Sequence, residues 1–403
     1  MSASHAISRV LVGQSGGPTA AINASLAGVI EAARGLGASV LGMRHGVQGL
    51  LAGDLVNLDA TLPTAADLEL LRHTPSSYLG SCRYKLPAIE DDPTPYQTLF
   101  SLFDAQGIDA VLYIGGNDSM DTISKLAAYG EKVASPVRFV GVPKTIDNDL
   151  EGTDHTPGFG SAAKFIATSV AELGRDASVY DLENVLVVEI MGRNAGWLAG
   201  SACLAREDGL GFPSLILLPE APVEEDALVE AVAAKMHESK TVVLAVSEGA
   251  RRPDGTLMCE APLGGAKLDA FGHEAALSGT SRYLAGLLGA RLGIKTRAVE
   301  LSTLQRCASH IASATDLAEA AALGAHAVQA AADGLTGVLP VVRRTGNEPY
   351  TVEYGLVRIA DVANEERHVP ATWIAASGMD VTPDFADYVR PLADGLPSHV
   401  PAL

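Results

Sequence analysis

Positive charge is scarce in this chain. Lysines and arginines number 29 against 48 aspartates and glutamates, a formal net charge of −19 at pH 7. A surface that acidic repels phosphodiester backbones and anionic lipid headgroups, so neither nucleic acid nor a membrane is an expected partner. A small anionic substrate needs its own local cluster of arginine and lysine. Cysteine is scarce too. Cys82, Cys203, Cys259 and Cys307 stand in no CxxC or other metal-ligand spacing, which argues against zinc and reads as free thiols in a reducing cytoplasm. The first nine residues lack the apolar core of a signal peptide. No apolar run reaches the ~18 residues that span a bilayer. The first Gly-rich turn is not followed by Gly-Lys-Ser/Thr, so it is not a Walker loop. It also lacks the GxGxxG spacing that a nicotinamide-binding dehydrogenase requires.

What the chain has is hydrophobic content, 47%, and glycine, 41 in 403 residues. The length suits two domains. Strand and helix patterns alternate. Strands are expected at 8–12, 40–43, 110–114, 137–142, 185–190, 215–218 and 242–246. Helices are expected at 20–34, 119–129, 161–173, 195–205, 224–238, about 274–292 and 315–332. Short connections between apolar strands predict an α/β class with largely parallel sheets covered by helices on both faces. Residues 251–270 read as a surface excursion. Residues 338–342 and 351–359 read as late strands, the first demoted to an edge by Pro340. The tail from Pro383 reads as loops and short helices.

The polar residues gather at strand ends, where open α/β sheets bind ligands. Gly13-Gln14-Ser15-Gly16-Gly17-Pro18 is a strand-to-helix turn whose amides can approach an anion; it reads equally as a tight turn alone. Gly115-Gly116-Asn117-Asp118-Ser119 follows a strand and opens a helix. Its Asn and Asp oxygens suit Mg²⁺, and Asp118 or Ser119 equally suits a helix cap. Pro143-Lys144-Thr145-Ile146-Asp147-Asn148-Asp149 is too acidic for an ordinary turn, and a carboxylate there can take a proton from a hydroxyl during phosphoryl transfer. Met191-Gly192-Arg193, Ser247-Glu248-Gly249, Arg83, Arg297 and Arg306 supply the cations and a further acid near strand ends. Arginine matches phosphate in a bidentate way.

Together these segments resemble the phosphofructokinase family. Ser15-Gly16-Gly17-Pro18, Gly80-Ser81-Cys82-Arg83, residues 115–119 and 144–149, Met191-Gly192-Arg193, Ser247-Glu248-Gly249 and Leu304-Gln305-Arg306 stand in family order over roughly residues 8–310. The longer C-terminus resembles the pyrophosphate-using branch. The resemblance implies two doubly wound domains with the active site in the cleft between them. It implies a donor-side domain over 1–160, completed by segments after about 310, a sugar-phosphate domain over 161–305, and a return segment and extension over 306–403. It implies reversible phosphorylation of fructose 6-phosphate at its 1-hydroxyl with Mg²⁺, in a cytoplasmic homodimer or homotetramer.

Roles implied by the resemblance follow residue by residue. Asp147 is the base. Thr145 and Ile146 line the sugar site, as do Met191, Gly192 and Arg193, with Arg193 also near the transferring phosphoryl group. Glu248 binds sugar hydroxyls. Arg297 and Arg306 hold the 6-phosphate, with Thr303, Leu304 and Gln305 alongside. Gly16 and Arg83 face the donor, and Asn117 takes the place of a metal-linked Asp. ATP-using members carry glycine where Asp118 stands, and usually where Lys144 stands. The bulk and charge of Asp118 then exclude the α-phosphate of ATP, while Lys144 compensates Asp118 and steadies a compact donor. Pyrophosphate is the expected donor, and an ATP-dependent 6-phosphofructokinase is the alternative. Asn184 departs from a family arginine that reaches a neighbouring subunit. Thr303 departs from a histidine, which opens sedoheptulose 7-phosphate as a second acceptor.

Overall fold

The computed structural model describes residues 7–260, 279–362 and 365–400. Its strands are β1 (Arg9–Gln14), β2 (Ser39–Met43), β3 (Leu55–Asn57), β4 (Ala110–Gly115), β5 (Arg138–Pro143), β6 (Asn184–Ile190), β7 (Leu215–Leu217), β8 (Thr241–Ser247), β9 (Lys295–Glu300), β10 (Val338–Asn347) and β11 (Tyr350–Arg358). The chain divides into two compact units. One takes the described residues of Met1–Ile146, Leu150–Phe159 and Arg306–Glu366. The other takes those of Asp147–Asp149, Gly160–Gln305 and Arg367–Leu403.

The first unit is built on a seven-stranded sheet in the order β11-β10-β5-β4-β1-β2-β3. Its centre is parallel, with Val10 opposite both Val40 and Ala110, and Ala110 opposite Arg138. β3 and β11 are antiparallel edges. Both faces are covered, as runs such as Ala-Val-Leu-Tyr-Ile require. Val10, Val12, Leu112, Ile114 and Val140 pack with Leu26, Ile30 and Val328 from the helices Ile22–Gly35 and Ala314–Ala332. The alternate residues Leu11, Val111, Tyr113 and Phe139 pack with Phe103, Ile123 and Leu126 from the helices Thr94–Gln106 and Asn117–Lys132. This is the two-residue period of a strand read on both faces. Each large side chain so buried contributes about 1.5–3 kcal/mol.

Pro340 does not lie on an edge strand, since β10 stands between β11 and β5. The reason is that β10 meets β5 only at Val338↔Val140. At Pro340 the strand has a ladder partner only in β11, so the missing N–H disrupts nothing on the other side. The helices Gly46–Leu51, Ala65–His73 and Thr94–Gln106 go beyond the expected elements.

The second unit carries a four-stranded, fully parallel sheet in the order β7-β8-β6-β9. β6 and β8 are buried along their whole length, whereas β9 is a half-exposed edge. The helix expected over 195–205 is a short α-turn, Trp197–Ser201, running into a 3₁₀ segment, Ala202–Asp208. The start of the helix expected from 274, and residues 261–270 of the expected surface excursion, lie outside the described residues; the helix is seen over Thr280–Leu292. The tail adds the helix Pro383–Val389 to this unit. There Phe385 stacks on Trp197 at 5.9 Å, and Trp373 and Tyr388 complete an aromatic cluster.

Candidate active site

In the first unit, the ends of neighbouring strands β1, β4 and β5 bring three expected segments together. Gly16 has φ +75, a conformation that disfavours a Cβ, and a Cβ there would sit 3.3 Å from Lys144 Nζ. Lys144 is buried, and its Nζ donates to the Gly17 carbonyl at 2.6 Å. Its backbone N–H donates to Gly115 O at 3.0 Å. Ser81 Oγ donates to Gly16 O at 2.6 Å, which ties the segment carrying Arg83 to the same turn. A guanidinium nitrogen of Arg306 lies 3.1 Å from where a Gly17 Cβ would stand. An ammonium and a guanidinium therefore gather at one glycine turn, the local positive charge that an acidic protein needs for an anionic ligand.

The helix Asn117–Lys132 starts at Gly116 with no side-chain cap, so neither Asp118 nor Ser119 acts as one. Ser119 Oγ instead hydrogen-bonds Ser15 Oγ. Asp118 sits in the first helical turn, where the helix dipole favours a carboxylate. Its side chain is 72% exposed, and it pairs with Lys85 Nζ at 3.3 Å. Lys85 thus brings a cation to Asp118. Sequence reasoning passed over Lys85, although a second cation two residues beyond Arg83 is notable in so acidic a chain. Thr145 is fixed by its own N–H to Pro157 O at 3.1 Å and by Thr156 Oγ1 to its carbonyl at 2.9 Å; Ile146 is buried. Among the described residues no group of three or more His, Cys, Asp or Glu side chains forms a metal cluster.

In the second unit, β6 and β8 end side by side at Ile190 and Ser247. Ser247 Oγ donates to Gly192 O at 2.5 Å and accepts from Gly249 N–H at 3.0 Å. A Cβ on Gly249 would stand 1.9 Å from Arg193 O, so only glycine lets the two turns pack this closely. The Gly192 N–H donates to Glu248 Oε1 at 3.3 Å. Burial pushes the Glu248 carboxyl up to about 7, helped by the charges of Asp147 and Glu189 and opposed by the Gly192 N–H and Arg193. Asp147, Glu248 and Arg193 therefore share one electrostatic neighbourhood. Glu189 itself caps the helix Thr280–Leu292 by accepting from Ser281 N at 2.8 Å.

The stretch near residue 300 that is expected to hold a phosphate runs from β9 to the short helix Leu304–Cys307. Arg297, on β9, pairs with Asp176 at 3.3 Å. Thr303 and Leu304 are exposed. Gln305 is buried and accepts from Met191 N–H at 3.1 Å, holding the Met-Gly-Arg turn. Arg306 belongs to the first unit, whereas Arg297 belongs to the second. Asn184, standing in place of a family arginine, is buried and donates to Leu182 O and Thr241 Oγ1, both at 3.0 Å.

Comparison with known proteins gives a consistent picture. The Phosphofructokinase family model matches residues 9–331. The chain is 40% identical over 387 residues to a pyrophosphate–fructose 6-phosphate 1-phosphotransferase of Methylococcus capsulatus, covering 95% of this chain and 90% of that protein. It is 40% identical over 388 residues to the enzyme of the same name from Halomonas elongata, covering 95% and 91%. A crystal structure of pyrophosphate-dependent phosphofructokinase from Nitrosospira multiformis superposes with a TM-score of 0.86 at 35% identity, covering 98% of this chain and 93% of that one.

Proposed function

Because this chain belongs to the phosphofructokinase family, we propose that it transfers a phosphoryl group reversibly from pyrophosphate to the 1-hydroxyl of fructose 6-phosphate. The observation that carries the donor is the set of charges around the glycine turn. Asp118 projects an exposed carboxylate from the helix start, and Lys144 is anchored over Gly16 and Gly17. A longer donor must place its α-phosphate against that carboxylate, whereas a compact pyrophosphate need not.

Asp147 takes the proton of the 1-hydroxyl as the sugar oxygen bonds to phosphorus. The bridging P–O bond of pyrophosphate breaks, and inorganic phosphate leaves with the electron pair. Lys144 and Arg193 stabilise charge on the transferring and leaving groups. Gly16 and Arg83 hold the donor. Thr145, Ile146, Met191 and Gly192 line the sugar, and Glu248 binds its hydroxyls. Arg306, beside the Gly17 turn, holds the 6-phosphate in this reading. Arg297 pairs with the largely exposed Asp176, a contact weak enough to yield to a 6-phosphate.

The oxygens of Asn117 and Asp118 fit Mg²⁺ that arrives on pyrophosphate rather than a resident metal, since Mg²⁺ keeps its waters and substrate phosphates as main ligands. When bound, the ion neutralises phosphoryl oxygens. A cytoplasmic homodimer or homotetramer is the assembly we propose, supported by the half-exposed edge β9 and the nearby exposed Val179, Tyr180 and Leu182; sedimentation measures it. No described helix is long and apolar enough to cross a membrane.

The test is a matrix of pyrophosphate and ATP against fructose 6-phosphate and sedoheptulose 7-phosphate, with Mg²⁺. Pyrophosphate with fructose 6-phosphate is the expected best pair. A preference for ATP overturns the donor assignment. The exposed Thr303 in place of histidine favours measurable use of the longer sugar.

A further inference from the structure

We propose that Tyr388 and Arg367, from the C-terminal segment, are positioning residues that hold the acidic loop Asp147–Asp149 in its working conformation. The inference rests on the reading of Asp147 as the base and names what sets that base in place. Asn148 follows Asp147 directly, is fully buried, and has φ +55, a left-handed conformation that asparagine tolerates better than most non-glycine residues. Its Nδ2 donates to Tyr388 Oη at 2.9 Å. The same oxygen accepts from Arg367 at 3.3 Å, and the Arg367 N–H donates to Asp149 O at 2.9 Å. The two residues after the base are thus both tied to one tyrosine–arginine pair.

That pair is itself rigid. The Arg367 guanidinium lies 4.3 Å from the Trp197 ring centroid and 5.6 Å from that of Tyr388. Trp197 Nε1 donates to Arg367 O at 3.0 Å. Tyr388 packs against Trp197 at 5.4 Å and Trp373 at 5.1 Å. The Tyr388 hydroxyl is therefore a fixed point, and the loop is pinned to it by a hydrogen bond and to its arginine neighbour by another.

The experiment uses the full-length enzyme with Tyr388→Phe, which keeps the stacked ring and removes only the hydroxyl. A base displaced by a fraction of an ångström loses rate, so kcat is expected to fall about tenfold or more while the KM for pyrophosphate changes less than about twofold. In the Asp147→Ala background the same substitution is expected to change the residual rate less than about twofold, because there is no base left to position. A role limited to stability would persist in that background. Asn148→Gly keeps the left-handed backbone free of strain while removing the anchor, and it should reproduce the loss if Tyr388→Phe proves poorly folded. The proposal is overturned if both variants fold and keep kcat within about twofold, or if the Tyr388→Phe loss survives in Asp147→Ala. Full activity of Asp147→Ala alone removes the base itself, a separate result that also ends the proposal.

Discussion

Lys144 and Asn148 lie close together in the chain but belong to different compact units and are anchored by different means. Lys144 reaches Gly17 and Gly115, residues at the ends of the adjacent strands β1 and β4 of its own sheet. Asn148 reaches Tyr388, in the last helix of the chain. The proposed donor turn is thus a product of sheet topology: parallel strands end together, so their glycines and charges meet. The acidic loop depends on a tail that packs beneath it. A change at a strand end should therefore alter what binds, and a change in the loop or tail should alter how fast the bound substrate reacts.

The largest expected effect breaks the acceptor half alone. Asp147→Ala removes the proposed proton acceptor and should lower kcat by roughly 10²–10⁴-fold. The KM for pyrophosphate should stay within a few-fold, since the donor groups are elsewhere. Steady-state kinetics in both directions check it, and unchanged kcat removes Asp147 from the mechanism. The complementary break is Asp118→Gly with Lys144→Gly. It takes away the carboxylate and the ammonium at the donor turn. We expect kcat/KM for pyrophosphate to fall about 10²-fold, in line with the loss of preorganised donors, with some activity on ATP gained. Full pyrophosphate activity in the double variant would show that these residues do not select the donor.

The same contrast governs what the sequence reveals. The glycine turn, Asn117-Asp118 and Lys144 were legible because each directly follows a buried, β-branched strand, and strand ends in a parallel sheet converge. The charge pairing at Asp118 was not, because Lys85 lies in a segment without regular periodicity, so nothing local aims it at that helix. The tie from Asn148 to Tyr388 spans most of the chain and depends on aromatic packing around Trp197, which no spacing encodes. Pro340 misled for a related reason: a rule about strands as wholes says nothing about where along β10 its partner on one side stops.

Glu248 sharpens the comparison through pH. Its carboxyl is raised to about 7 in the folded protein, first by burial and then by Asp147 and Glu189. A raised acid binds its proton more readily folded than unfolded. Its stabilising contribution is fully present below its unfolded value near 4.5 and is lost as pH rises through about 7. On the order of 3 kcal/mol of stability is thus expected to disappear between pH 5 and pH 8. Glu248→Gln should flatten that part of the profile. Denaturant melts of both proteins at the two pH values measure it, and parallel profiles would show that Glu248 does not titrate in this window.

The smallest expected effect lies at Lys85. Its pair with Asp118 is largely exposed on both sides, at 63% and 72%, and such pairs typically contribute about 0.2–1 kcal/mol. Stability should therefore barely change in Lys85→Ala. Binding is another matter, because removal of the ammonium leaves the Asp118 carboxylate facing an incoming anion without its partner. The KM for pyrophosphate should rise about two- to fivefold at low ionic strength, and the difference should shrink as salt screens the repulsion over a Debye length of about 8–10 Å. The KM for fructose 6-phosphate should not follow. If both substrates weaken equally, or if salt leaves the pyrophosphate effect untouched, Lys85 is a surface partner of Asp118 with no part in donor choice. If pyrophosphate alone weakens, the donor turn extends to a lysine from a different segment, and the negative charge that excludes longer donors is tolerated toward short ones because Lys85 offsets it.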